Sequence, residues 1–458
     1  MGFLFFGGTV GWVGHVSVTG AVLLVASLAL FFAAWGSFAA WIMREAAGRG
    51  AARSAPGTGH RFLLALPAAW VLLEFLRNTL LSGFGWNLLA HTQWSWIHLI
   101  QIADLTGAPG ISFLVVMVNT ALWLTVSRTG DPWRRPWREA APDSTLVRWT
   151  AALCVLGALF YGHHRLKQVD QAAADPSAPA LKIAVVQGNI PQREKWDEGF
   201  QEMIWSRHEA LTRRAAEERP DLIVWPETAA PGFLEETAVQ GRLASLAKEM
   251  NTALLVGIPS EPEPGRLLNS AVWIGADGRI GQRYDKIHLV PFGEFIPLRP
   301  LLGWLTRLYP IPDFSPGREF TVFQTSPALS VLVCFEDLFP GLSRAFVSRG
   351  ARVLFVITND GWFGRSAASL QHLQASVFRA VEGRVWIGRA ANTGWSGFVD
   401  PAGRRLPSPG QVPRFEEGVA VARVTEGPPV RTYVRCGEWF LWLCLLLAGL
   451  ALRPGSGS

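Results

Sequence analysis

The first 43 residues carry no Asp, Glu, Lys or Arg. An apolar helix needs about 20 residues to cross a bilayer, so this stretch has room for two crossings. Its glycines and the segment His15–Thr19 predict a break, which places helices over 2–17 and 20–43. A basic leading region is missing and the run is too long for a secretory signal peptide. Residues 62–81, FLLALPAAWVLLEFLRNTLL, read as a third span and residues 108–127, free of charge, as a fourth. The runs 149–162 and 439–452 are shorter, but charged residues flank them and Trp149, Trp439 and Trp442 sit at their ends. Tryptophan at such ends anchors a helix in the membrane interface, so both are read as spans.

The loops between these spans set a direction. Loop 44–61 has Arg44, Arg49, Arg53 and Arg61 against one acid, and loop 128–148 has Arg128, Arg134, Arg135, Arg138 and Arg148. Loop 82–107 has neither Lys nor Arg. Basic loops stay cytoplasmic. The two arginine-rich loops are therefore expected inside, 82–107 and 165–437 outside, and both termini in the cytoplasm. Glu74 and Arg77 share one face of the third span at i, i+3 spacing. Charges inside a span are costly and face protein or a water-filled cavity, so these two either join helices as an ion pair or serve an entry for lipid or substrate. Segment 82–107 is aromatic yet too polar to span. It reads as an interfacial or re-entrant loop, or as a loop lying on the surface.

The chain of 458 residues is 49% hydrophobic and only 17% charged, against roughly 25% charged in soluble domains. That argues against a disordered chain and against a purely soluble enzyme. Of 42 basic residues only Lys167, Lys182, Lys195, Lys248 and Lys286 are lysine. No dense basic run with interleaved aromatics occurs, so nucleic acid is not an expected partner. Cys154, Cys334, Cys436 and Cys444 are too scattered for a disulfide framework or a zinc site, and no metal is expected.

Residues 165–180, polar and rich in Ala and Pro, read as a linker. Beyond them the pattern changes. Strands are predicted over 181–189, 221–227, 253–259, 270–275, 329–337, 352–358, 384–392, 394–400 and 418–424, and helices over 198–218, 238–250 and 367–383. Apolar strands alternating with helices imply a layered α/β domain with buried strands. The domains are thus a helical membrane domain (1–164, about five spans by length), the linker, an α/β domain over 181–425, and a last membrane helix over 438–453.

Three segments place reactive groups just after an apolar strand, where α/β folds carry their chemistry. Glu227 follows Val224-Trp225-Pro226. A carboxylate there suits general-base work, or caps the next helix. Lys286 stands in Tyr284-Asp285-Lys286. In a chain that prefers arginine, a lysine offers a compact ammonium charge able to hold an oxyanion, or is a solvated surface residue. Cys334 follows Val331-Leu332-Val333 and precedes Phe335-Glu336-Asp337. Free cysteine is commonly a small buried hydrophobe; as a nucleophile it needs a nearby base or cation.

The order Glu in VWPE, Lys in YDK and Cys in VLVCFED resembles the Glu–Lys–Cys triad of the nitrilase superfamily, as do ITNDGWFG and RAANTGWSGFVDPAG. The membrane half, with GFLFFGGTVGW, EFLR, SGFGW, VQGNIPQREKW and KIHLVPFGEFIP, is similar to the apolipoprotein N-acyltransferase family. This resemblance implies a multi-span helical membrane domain and a nitrilase-like four-layer α-β-β-α sandwich. It implies Glu227 as proton acceptor, Lys286 as oxyanion stabiliser and Cys334 as nucleophile, with Glu294, Glu336, Trp196 and Phe335 at supporting positions. It also implies ping-pong transfer of the sn-1 acyl chain of a phospholipid such as phosphatidylethanolamine, through a Cys thioester, to the N-terminal amine of a diacylglyceryl-cysteine apolipoprotein. No metal or dissociable cofactor is implied, and the place is the bacterial inner membrane with the catalytic domain on its periplasmic side. Two departures stand out. Family members usually begin with further membrane helices ahead of the GFLFFGG stretch, so this chain is expected to be shortened or its start misassigned. Tyr usually follows the Cys, where this chain has Phe335. The other readings are a membrane-tethered amidase, in which water resolves the thioester, and a transporter or lipid-binding protein with an inactive domain.

Overall fold

The computed structural model describes residues 1–48, 58–126, 144–303, 313–429 and 432–452. Its contacts divide the chain into two units, Met1–Lys167 with Arg431–Ser458, and Gln168–Val430. The first unit is helical: α1 (Gly2–Val10), α2 (Val18–Gly48), α3 (Thr58–Thr79), α4 (Ala108–Val126), α5 (Ser144–Ala173, running on into the second unit) and a last helix, Trp439–Leu452. The stretches Val18–Glu45, His60–Ser82, Ala108–Val126 and Thr145–Ala173 are long and apolar enough to cross a membrane.

The expected helix over 2–17 is not continuous. Helix α1 has nine residues, rising about 14 Å, and a 3-10 turn, Gly11–His15, follows. Glycine lowers helix stability, and four stand between positions 7 and 14. The expected linker over 165–180 is also corrected. Helix α5 runs through the predicted span at 149–162 and on to Ala173, because the sequence offers neither Gly nor Pro between Gly162 and Pro176. Most of the two basic loops, residues 49–57 and 128–143, lies outside the described residues.

Helix α3 packs against α2, α4 and Trp439–Leu452 around Leu63, Leu66, Phe113, Met117, Leu441 and Cys444. Its two charges have a different use from the ion pair expected between helices. Glu74 accepts the Leu89 N–H at 2.7 Å, and Arg77 donates to the carbonyls of Trp86 at 3.0 Å and Asn87 at 3.3 Å. Both therefore fasten segment 82–107, which folds as short turns at Leu80–Ser82, Leu89–Gln93, Ile97–Ile100 and Ala103–Thr106. At its far end the buried Asp104 accepts from Arg165 Nε at 2.8 Å and from the Tyr161 hydroxyl at 2.8 Å.

In the second unit one sheet has the order β11-β1-β2-β3-β4-β5 and the other β10-β9-β8-β7-β6. The first contains β1 (Ala180–Gln187), β2 (Leu222–Val224), β3 (Ala253–Ser260), β4 (Leu268–Ile274), β5 (Ile280–Asp285) and β11 (Gly418–Thr425). The second contains β6 (Leu329–Val333), β7 (Val353–Thr358), β8 (Trp386–Ala391), β9 (Ser396–Val399) and β10 (Gln411–Val412). Strands β1, β2 and β3 are mutually parallel, as are β6, β7 and β8. Helices α6 (Gln201–Ala216) and α7 (Thr237–Met250) cover the first sheet, α8 (Pro340–Ser348) and α9 (Ala368–Gly383) the second, and the sheets face each other. This is the α-β-β-α sandwich. Strands β6 (LSVLV) and β7 (VLFVIT) are buried at every position, as parallel strands covered on both sides require.

Two elements escape the sequence pattern. Strand β5 reads IGQRYD and leaves its first three residues exposed, so it lacks the alternation of a half-buried strand. Helix α8, nine residues starting at Pro340, is too short for a periodic signal. The predicted strand 329–337 ends at Val333.

Removing one partner of a buried ion pair strands the other charge, at a cost of about 3–5 kcal/mol. Asp104→Ala is expected to lower the thermal stability of the purified protein correspondingly, whereas Glu198→Ala, at an exposed position, leaves it unchanged. Equal melting temperatures for both variants in a detergent-compatible thermal-shift measurement would contradict the role given to Asp104.

Candidate active site

Glu227, Lys286 and Cys334 come from three different strand ends, and the fold brings their surroundings together. Strand β2 ends at Val224, and the next residue, Trp225, is buried with its indole N–H donating to Thr212 Oγ1 at 2.9 Å. That anchor turns Pro226 and Glu227 inward. They pass over Gly257 of β3, where a Cβ would lie 2.1 Å from the Pro226 carbonyl oxygen and 2.8 Å from Glu227 Cα. Only glycine permits this approach.

The Glu227 carboxylate is 6% exposed. One oxygen accepts from Asn269 Nδ2 at 2.9 Å and the other from the Asn359 N–H at 3.0 Å. Lys286 Nζ lies 3.6 Å from Glu227 Oε1 and donates to Glu294 Oε1 at 2.9 Å. Glu294 is held in turn by Asn269 Nδ2 at 3.1 Å and the Val290 N–H at 2.8 Å. Lys286 itself hangs from the end of β5: its N–H donates to the Asn269 carbonyl and its own carbonyl accepts from Gly317. Burial disfavours the Lys286 ammonium, but Glu294 and Glu227 outweigh it and raise the pKa, so the group stays charged.

Cys334 has a φ of 53°. Left-handed backbone at a non-glycine residue costs on the order of 1–3 kcal/mol and clusters at functional sites. The following turn, Cys334–Leu338, is held by Glu336. This fully buried carboxylate accepts from the N–H groups of Val333 at 2.7 Å, Ile287 at 2.8 Å and His288 at 3.0 Å, and from the Tyr284 hydroxyl at 2.8 Å. Burial pushes the Glu336 carboxyl up, against the pull of these donors. Phe335 packs edge-on against Phe339 and beside the His288 ring. Burial and the Glu227 carboxylate raise the Cys334 pKa well above its ordinary value, with Lys286 opposing them. The raised pKa favours the protonated thiol at rest.

The structure thus gathers Glu227, Lys286, Glu294, Cys334 and Glu336 into one linked set. Trp196 differs: its ring is 54% exposed and makes none of these contacts. Sequence reasoning missed Asn269, which bridges the two carboxylates, and Lys195, whose Nζ donates to the Glu227 carbonyl at 2.8 Å. Burial lowers Lys195 to about 8. Asn269 sits inside an apolar strand and gives no sequence signal; Lys195 was visible as one of five lysines.

The N-terminal 121 residues match the apolipoprotein N-acyltransferase N-terminal domain, and residues 182–427 match the carbon-nitrogen hydrolase domain. The chain is 39% identical to an apolipoprotein N-acyltransferase of Geobacter metallireducens, over 98% of this chain and 82% of that one. The chain belongs to the apolipoprotein N-acyltransferase family. A relative of the same family from Methylococcus capsulatus is 32% identical, over 98% of this chain and 86% of its own. Among solved structures, an amidase of the nitrilase superfamily from Nesterenkonia AN1 matches 59% of this chain and 98% of its own, at 21% identity and a TM-score of 0.44. Family membership makes the chain an acyltransferase of lipoprotein maturation with a membrane-embedded part.

Because the resting thiol has a raised pKa and only thiolate is alkylated rapidly, iodoacetamide modification of Cys334 should be slow at neutral pH and keep accelerating through the alkaline range. A plateau of rapid modification at pH 7, read by intact mass, would show a preformed thiolate and overturn this reading.

Proposed function

We propose that the chain transfers the sn-1 acyl chain of a phospholipid, phosphatidylethanolamine among them, to the N-terminal amine of a diacylglyceryl-cysteine apolipoprotein. The observation that carries this reading is the meeting of a buried carboxylate, a permanent ammonium and a cysteine on a strained turn. In the first step Cys334 Sγ bonds to the ester carbonyl carbon as Glu227 accepts the thiol proton. Lys286 and a backbone N–H hold the oxyanion. Collapse breaks the ester C–O bond, Glu227 returns the proton to the departing lysophospholipid oxygen, and a thioester remains. In the second step the neutral acceptor amine attacks that carbonyl and loses a proton to Glu227. The C–S bond breaks, Cys334 regains its proton and the N-acyl product leaves.

Glu294 keeps Lys286 charged and aimed, and Asn269 holds the base. Glu336 supports the turn, and the exposed Trp196 offers an apolar face to an acyl chain. Both substrates are lipid-anchored, which requires a site close to the bilayer. We place it on the periplasmic side of the bacterial inner membrane with both termini cytoplasmic. The support is loop charge: arginines crowd 44–61 and 128–148 and are absent from 82–107.

Phospholipid with an alkyne-tagged sn-1 chain should leave a hydroxylamine-labile label on the wild type and none on Cys334→Ala. Adding a diacylglyceryl-cysteine peptide should move the label to the peptide amine. Glu227→Gln should slow labelling by about two to four orders of magnitude, the usual worth of a general base. Label lost to water at the same rate without peptide would make the chain an amidase-like hydrolase instead.

A further inference from the structure

Beneath the Cys334 turn lies a closed set of four ionisable side chains that the acyl-transfer steps leave unused. Asp337, Asp360, His372 and Arg389 are all buried. His372, on α9, places Nδ1 2.8 Å from Asp360 Oδ1 and Nε2 2.9 Å from Asp337 Oδ1. The same Nε2 is 3.1 Å from the backbone carbonyl oxygen of Cys334. Arg389, on β8, reaches Asp337 Oδ2 at 3.1 Å and Asp360 Oδ2 at 3.5 Å. Ser376 donates to Asp337 Oδ2 and Thr358 to Asp360 Oδ1. With both carboxylates ionised and His372 protonated, the four charges sum to zero. That balance is the condition under which buried charge is tolerated.

A histidine facing acceptors at both ring nitrogens must carry both N–H groups to satisfy them. Here the acceptors belong to two parts of the site. On one side is the carbonyl of the nucleophile's own residue, at the strained φ. On the other is Asp360, directly after Asn359, whose N–H holds Glu227. We propose that His372, as an imidazolium, is a positioning residue that clamps the Cys334 turn to the Asn359–Asp360 segment and so sets the nucleophile against its base. Burial works against the His372 charge, but Asp337 and Asp360 raise its pKa to about 9, and the same partners hold both Asp carboxyls below their ordinary value. A neutral imidazole would donate through one nitrogen only and release one side of the clamp.

Besides these four and the Cys334 thiol, the ionisable groups on elements packed against α9 are Glu336, on the Cys334–Leu338 turn, and Arg344, on α8; β9 carries none. On α9 itself Arg379 pairs with Glu382 and reaches the Asp337 carbonyl.

The inference rests on Cys334 being the acylated nucleophile, so the wild type is the first arm of the test. Single-turnover thioester formation from tagged phospholipid is compared for wild type, His372→Phe, His372→Gln and Asp360→Asn. Phe keeps the ring without donors and is expected to slow acylation at least tenfold with half-saturating lipid unchanged within twofold. Gln, which keeps one donor, should recover part of that loss. Asp360→Asn removes the charge that favours the imidazolium while keeping the shape, and it serves if the His372 variants do not fold. Its rate relative to wild type should rise as pH falls from 8 to 6, because His372 regains its proton in that window. Asp360 itself raises the Cys334 pKa, so the variant changes the size of the ratio, but a thiol that stays protonated across this range does not make the ratio vary with pH. Acylation by His372→Phe within twofold of wild type would overturn the proposal, as would a pH-independent Asp360→Asn ratio. No thioester on the wild type would instead overturn the reading of Cys334.

Discussion

The buried Glu336 carboxylate accepts hydrogen bonds from Tyr284, Ile287, His288 and Val333, and through them two sheets meet at one point. Val333 ends the edge strand of one sheet, while Tyr284 and the residues after Lys286 lie at the end of the edge strand of the other. Strand β5 is bound on one side only and has little apolar surface, so its own pairing would aim Lys286 poorly. The carboxylate supplies the missing constraint. It also takes the N–H of Val333, directly before the left-handed Cys334, which helps the fold hold that conformation.

Around that anchor the site is organised as balanced charge. Lys286 stands between Glu227 and Glu294, and Asn269 spans the two carboxylates. Each carboxylate oxygen that does not face Lys286 takes a backbone N–H, from Asn359 or from Val290. Burial makes an unpaired charge prohibitive, so removing one member would disturb its neighbours as well as its own chemistry. The same logic repeats one layer deeper, where His372 and Arg389 face Asp337 and Asp360. Two adjoining charge clusters, one open to chemistry and one closed, lie on either side of the nucleophile's turn.

The helical unit uses its few charges in a related way. Glu74 and Arg77 spend their hydrogen bonds on the backbone of Trp86, Asn87 and Leu89, and Arg165 with Tyr161 holds Asp104. The irregular stretch between α3 and α4 is thereby tied at both ends by buried side chains. Non-helical backbone at membrane depth survives only when its polar groups find such partners.

Much of this was legible in the amino-acid order. Apolar runs marked the membrane helices and nearly every central strand, because burial on both sides demands uninterrupted hydrophobicity. The triad stood out because reactive side chains followed such runs in the order Glu227, Lys286, Cys334. The limits came partly from an element whose stability is not local and partly from helix ends that the apolar runs do not mark. Strand β5 is recruited by pairing with β4, α5 continues past Leu166 because nothing in its sequence stops it, and α1 ends where glycines weaken it. The partners Asn269, His372 and Arg389 sit in apolar strands or on an amphipathic helix, where a polar residue announces nothing by itself. Sequence alone determined which residues could be buried and which could react, since both follow from side-chain chemistry. Tertiary structure alone decided which charges face each other, because residues 227, 269, 286, 336 and 359 meet only after two sheets close around them.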